Sequence, residues 1–199
     1  MPQQIDWTKV PRGAVLNSYG ENTRNLIAKF AYAQIRGYQK RKYPDAPREA
    51  ISAIHSQIHL GAGQFLSVES PRAKIHEPIL EDNHRYTLWV YKHTDKFDEN
   101  SWRAFETTVD KLVGTAYDYG QLLDILVNQV FGWTANPLKI FDFSRRRKVC
   151  SVACHVALLA AYKAIPELSR PPEAPLGRQH VEVTCPADFE NHDSFAKFV

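Results

Sequence analysis

The stretch from Lys148 to Tyr162 constrains the fold most, because almost every residue in it is apolar and it contains neither Gly nor Pro. This composition, rich in small residues, favours a buried helix. The stretch is shorter than the roughly 18 apolar residues that a membrane span requires. We therefore predict a helix in the protein core, with Cys150 and Ser151 in its first turn.

A cysteine at the start of a helix has two possible roles. The unsatisfied backbone N–H groups and the positive end of the helix dipole both favour a thiolate at Cys150. The basic run Arg145–Lys148 acts in the same direction or binds an acidic group of a substrate, or it is simply a solvated charge patch. Free cysteine is also among the residues most often buried, so an inert, packed Cys150 is the alternative.

Residues 54–68 have the pattern of a β-hairpin. Apolar and polar residues alternate from Ile54 to Leu60, Gly61-Ala62-Gly63 follows, and Phe65–Val68 forms a second apolar run. This pattern predicts two strands joined by a tight turn. Side chains alternate between the two faces of a strand, so His55, Gln57 and His59 share one face. That face is either a solvated polar surface or part of a site.

The rest of the chain predicts a mixture of helices and strands. Strands are predicted within residues 10–18, 86–91 and 181–184, and helices over 22–42, 101–113 and 121–131. Ser101 is the expected N-cap of its helix. The proline-rich residues 168–177 predict an extended surface segment, residues 132–144 a loop and residues 186–190 a turn. We expect one α+β domain over residues 1–199.

Composition excludes several classes of protein. Hydrophobic residues make up 44% and charged residues 24% of the 199 residues, as in ordinary globular domains. The net charge of +3 is too small to indicate nucleic-acid binding. An odd number of cysteines, three, favours reduced thiols and a cytoplasmic location. The N-terminal residues do not resemble a signal peptide, and no membrane span is expected.

Several short motifs, taken in order, resemble the NlpC/P60 superfamily of papain-like cysteine hydrolases, in its circularly permuted, YiiX-like branch. In that branch the strand with the histidine precedes the helix with the cysteine. The matching segments are His55-Ser56-Gln57-Ile58-His59-Leu60-Gly61, Glu69-Ser70-Pro71, Gly114-Thr115-Ala116-Tyr117-Asp118, Cys150-Ser151 and Cys185-Pro186-Ala187-Asp188-Phe189.

The resemblance implies a papain-like fold, a small antiparallel sheet packed against helices, and a catalytic triad. Cys150 would be the nucleophile, His55 the general base and Glu69 the carboxylate that orients the base. The predicted hairpin supports this, since it places Glu69 on the strand next to that of His55. Tyr117 and Ser151 are the residues expected near the substrate or its oxyanion.

The implied activity is thiol-dependent hydrolysis of a peptide-type amide through an acyl-enzyme, on a small-molecule or peptide-like substrate. A lipid acyltransferase or thioesterase of the same fold and a non-catalytic binding protein are the alternatives. Zinc-compatible side chains occur at Cys150, Cys154, His155, His55 and His59, but the sequence contains no C-x2-C pair. We therefore expect neither a metal nor a cofactor, and the sequence indicates no oligomeric state.

Overall fold

The computed structural model describes residues 5–19, 26–69, 71–78, 85–117, 147–179, 181 and 184–198. Its strands are β1 Val15–Tyr19, β2 His55–Gly61, β3 Gln64–Val68, β4 Ala73–His76, β5 Arg85–Tyr91, β6 Ala116–Tyr117, β7 Arg147–Lys148 and β8 Phe195–Phe198. Its α-helices are α1 Leu26–Lys42, α2 Glu99–Leu112, α3 Cys150–Ala164 and α4 Pro186–Asn191. The predicted α+β class is confirmed; the predicted helix 121–131 and loop 132–144 lie outside the described residues.

Six of the strands form one antiparallel sheet. Their order is β4-β3-β2-β1-β5-β8, while β6 and β7 form a separate parallel pair. β2 and β3 are the predicted hairpin, with Gln57 opposite Ser67. Gly61, Ala62 and Gly63 all have positive φ, a conformation that glycine adopts without steric cost. The Gly-Ala-Gly turn therefore fixes the register that sets the neighbours of His55.

The main core lies between this sheet and helices α2 and α3. Helix α3 is buried on nearly all sides, as its apolar sequence predicts, and it packs against α2 and β2. Helix α2 contributes Phe105 and Val109 to the same core. The N-cap of α2 is Asp98 rather than the predicted Ser101, because the Asp98 carboxylate accepts the Ser101 backbone N–H at 2.8 Å. Ser101 is instead buried inside the first turn.

The opposite face of the sheet is also covered. Residues from the N-terminal segment, including Val10 and Ala14, pack with Leu16, Phe65 and Leu88 in a second apolar cluster. His59 is only 1% exposed, and its ring lies 4.9 Å from that of Phe65. The alternating polar residues of β2 therefore do not form a solvated face at this position.

The chain after helix α3 differs from the sequence prediction. The proline-rich segment folds back on the core, so Pro175 and Leu176 are buried rather than extended at the surface. Val181 and Thr184 lie outside any strand, and residues 186–190, predicted as a turn, belong to helix α4. Pro186 is the first residue of this helix, a position at which its missing N–H costs no hydrogen bond.

The buried side-chain amide of Gln39 connects α1 to the segment before β2 and to the start of α4. The Gln39 side chain is fully buried and donates to the carbonyl oxygens of Ile51 and Ala53 at 2.8 and 2.9 Å. Its oxygen accepts the backbone N–H of Ala187 at 2.8 Å. These bonds hold the segment that leads into β2. None of the helices described here is long and apolar enough to cross a membrane.

Candidate active site

The structure brings the Cys150 thiol and the His55 imidazole together. Cys150 is the first residue of α3 and His55 the first residue of β2. The two side chains are hydrogen-bonded to each other. Cys150 is buried at 6% exposure, and His55 is partly buried. A thiol and an imidazole from distant parts of the sequence thus meet where a helix begins and a strand begins, an arrangement that suits a nucleophile and its base.

The surroundings of the sulfur favour its ionised form. Burial is the largest single influence and raises the pKa of the Cys150 thiol, whereas the charge and hydrogen bond of His55 lower it. The backbone N–H groups of Ser56 and Ser151 also act on the sulfur and lower the pKa. The net direction is downward, as for cysteines that react as thiolates.

The imidazole responds in the complementary direction. Burial lowers the pKa of His55, but the Cys150 sulfur raises it, and the Glu69 carboxylate adds a smaller upward effect, so the net pKa lies above its ordinary value. A lowered thiol pKa beside a raised imidazole pKa favours the thiolate–imidazolium form of the pair. The two groups stabilise each other's charged forms.

The imidazole has a second hydrogen-bond partner, Ser67. His55 Nε2 lies 2.8 Å from the Ser67 hydroxyl oxygen, and Ser67 is fully buried. Because β3 pairs Ser67 with Gln57, Ser67 is diagonal to His55 on the same face of the sheet. With Nε2 engaged in this way, Nδ1 is the nitrogen left for the thiol.

Glu69 does not take the position expected of an orienting carboxylate. Its Oε1 lies 2.7 Å from Lys74 Nζ and 4.0 Å from His76 Nε2, and its side chain is 41% exposed. Glu69 acts on His55 through charge alone, whereas Ser67 has the direct contact. Sequence reasoning missed Ser67 because a serine within an apolar strand resembles ordinary packing, although the hairpin register places it next to His55.

Two residues, Ser151 and Tyr117, were expected near the substrate or its oxyanion. The Ser151 hydroxyl is buried and donates to the Thr184 carbonyl oxygen at 2.8 Å, so it does not face a substrate. Tyr117 lies opposite Lys148 in the β6–β7 pair, two residues from Cys150. The part its side chain plays stays a prediction. Arg145 and Arg146 lie outside the described residues.

Cys154, Cys185 and His59 are buried structural residues. Burial raises the pKa of Cys154 and of Cys185 well above the ordinary value, and all three cysteines are free. His59 has Nδ1 3.1 Å from the Pro11 carbonyl oxygen and accepts the Gly63 N–H at Nε2. Within the described part of the chain, no three His, Cys, Asp or Glu side chains lie together so as to hold a metal ion.

The arrangement can therefore support attack on an electrophilic carbon. It contains a thiol whose pKa is lowered, an imidazole that can accept and donate a proton, and a hydroxyl hydrogen-bonded to that ring. The Cys150 backbone N–H at the start of α3 is available to an oxyanion. Comparison of the chain with protein-family models, with curated proteins and with solved structures finds no match.

Proposed function

We propose that this protein is a cysteine hydrolase of the papain-like type, in its circularly permuted NlpC/P60 form, that cleaves a peptide-type amide bond. The observation that carries the proposal is the hydrogen-bonded Cys150–His55 pair, with the thiol pKa lowered and the imidazole pKa raised. The order of the elements supports it, because the strand with His55 precedes the helix with Cys150.

In the first half of the reaction the Cys150 thiolate attacks the carbonyl carbon of the substrate and forms a carbon–sulfur bond. The negative charge that develops on the carbonyl oxygen is stabilised by the Cys150 backbone N–H. As the carbon–nitrogen bond breaks, the His55 imidazolium gives its proton to the leaving amine. The product of this half is an acyl-enzyme, a thioester on Cys150, with a neutral imidazole beside it.

In the second half the neutral His55 imidazole accepts a proton from water, and the resulting hydroxide attacks the thioester. The carbon–sulfur bond breaks, the carboxylic acid leaves, and the sulfur returns as a thiolate beside an imidazolium. Ser67 holds Nε2, so that Nδ1 faces the sulfur through both halves. Glu69 supports the imidazolium by its charge from a longer distance.

The substrate that fits this proposal is a small molecule or short peptide with an amide. A cytoplasmic location suits the enzyme, since a reducing compartment keeps the nucleophile as a thiol. Three free and buried cysteines are consistent with that setting.

The proposal is tested by incubating the protein with a mixture of short peptides and following new termini by mass spectrometry. The parent should release products and show an acyl adduct on Cys150 after an acid quench, and Cys150→Ala should do neither. Cys154→Ala is the matched control, since it removes a buried thiol one turn further along α3. Equal turnover by the parent and Cys150→Ala would refute the proposal.

A further inference from the structure

Thr184 forms hydrogen bonds with two residues of α3 that are one helical turn apart. The Ser151 hydroxyl donates to the Thr184 carbonyl oxygen at 2.8 Å, and His155 Nδ1 lies 2.8 Å from the Thr184 hydroxyl. His155 Nε2 lies 3.0 Å from the Pro175 carbonyl oxygen. A carbonyl oxygen only accepts hydrogen bonds, so the hydrogen of the neutral ring is on Nε2. Nδ1 therefore accepts a hydrogen bond from the Thr184 hydroxyl.

Thr184 is itself held by a buried ion pair. The backbone N–H of the next residue, Cys185, donates to Asp188 at 2.7 Å, and Asp188 is fully buried. Lys42 Nζ lies 2.7 Å from the same carboxylate, and Gln179 donates to it at 2.6 Å. The backbone around Thr184 is thereby fixed to α1 and α4.

Helix α3 needs a fixed hydrogen-bond partner such as Thr184 because its packing surface has few large side chains. Many of its buried residues are small, among them Ala153, Ala157 and Ala161. Small side chains make shallow ridges, so packing alone opposes a rotation or a slide of the helix less than large interlocking side chains do. Hydrogen bonds are directional and fix the rotation of the first two turns. Those turns contain Cys150.

We propose that Thr184 is a positioning residue for the nucleophile: through Ser151 and His155 it fixes the rotation of α3 that places the Cys150 sulfur against His55. This inference rests on the proposed function and adds to it a residue outside the reacting groups. Ser151 is the direct link, because its backbone N–H also acts on the Cys150 sulfur. Thr184 therefore sets the reactivity of the thiol without contacting it.

The test compares the rate of Cys150 alkylation by iodoacetamide across pH, resolved by peptide mass spectrometry, in the parent and in Thr184→Val. Thr184→Val removes the hydroxyl that donates to His155 and keeps the backbone carbonyl that accepts from Ser151. The loss of the His155 bond should raise the pH midpoint by about one unit and lower the rate at pH 6 about tenfold. Thr184→Ser keeps the hydroxyl and should restore the parent profile. Thr87→Val is the matched control, since it loses a hydroxyl bonded to Tyr19 and Trp89 in strand β5.

A role in stability alone would lower the melting temperature of Thr184→Val and leave the alkylation midpoint at its parent value, and that result overturns the inference. If Thr184→Val does not fold, Ser151→Ala removes the other hydrogen bond and should give the same upward shift. An unchanged midpoint in Ser151→Ala also overturns it. An ordinary thiol midpoint in the parent protein would instead refute the proposed function, and the positioning role with it.

Discussion

A fall in pH should lower the free energy of unfolding of this protein, because His155 is buried in its neutral form. The side chain is 1% exposed and both ring nitrogens have partners that fit the neutral tautomer. Burial is the main cause that lowers the pKa of His155 from 6.5 to about 4. Protonation would place a second N–H against the Thr184 hydroxyl and a charge in the core.

The sign and size follow from proton linkage. Above pH 6.5 the ring is neutral in both states and the free energy of unfolding does not depend on it. Between pH 6.5 and 4 the unfolded chain binds the proton and the folded chain does not, so stability falls as the pH falls. A pKa difference of about 2.5 corresponds to a loss of about 3 kcal/mol.

The assay is urea unfolding at a series of pH values from 7 to 4, for the parent and for His155→Gln. The variant has no titrating ring, so its free energy of unfolding should fall by about 3 kcal/mol less over this range than that of the parent. Other groups, His59 among them, titrate equally in both proteins and cancel. Parallel curves for the two proteins would refute the reasoning.

Three further changes test other parts of the structure. Ser67→Ala should slow Cys150 alkylation at pH 6 by about threefold to tenfold, the equivalent of one hydrogen bond of about 0.5–1.5 kcal/mol; an unchanged rate would exclude an orienting role. Lys42→Met should lower the free energy of unfolding by about 3 kcal/mol because it leaves Asp188 buried without its cation, and adding Asp188→Asn should recover part of that loss. Gln39→Leu leaves three buried backbone groups without partners and should cost at least about 3 kcal/mol by urea unfolding; a loss below 1 kcal/mol would contradict this.

Two parts of the site could be predicted from sequence because their signals are local. An apolar run without Gly or Pro predicts a buried helix wherever it lies, and α3 begins at Cys150. Alternation followed by Gly61-Ala62-Gly63 predicts a hairpin, and the structure has it. Local pattern thus identified the two elements whose first residues are hydrogen-bonded to each other.

The partners of these residues depend on contacts that local pattern does not contain. Glu69 was the natural choice to orient His55, but Lys74 on the next strand binds its carboxylate and leaves the ring to Ser67. Likewise, His59 resembles a surface residue until the N-terminal segment covers it. The burial of His59 depends on residues distant in sequence, and the position of Glu69 depends on competition for its carboxylate. Neither effect produces a periodic pattern in the sequence.

The central claim is that Cys150 and His55 form a thiolate–imidazolium pair, and the pH dependence of Cys150 alkylation tests it most directly. The measurement follows the Cys150 peptide in the parent and in His55→Ala. The account predicts that Cys150 of the parent reacts well below pH 8 and that His55→Ala moves the midpoint up towards about 8.5, the ordinary value of a free thiol. A midpoint near 8.5 in the parent, or one that His55→Ala leaves unmoved, would contradict the pair.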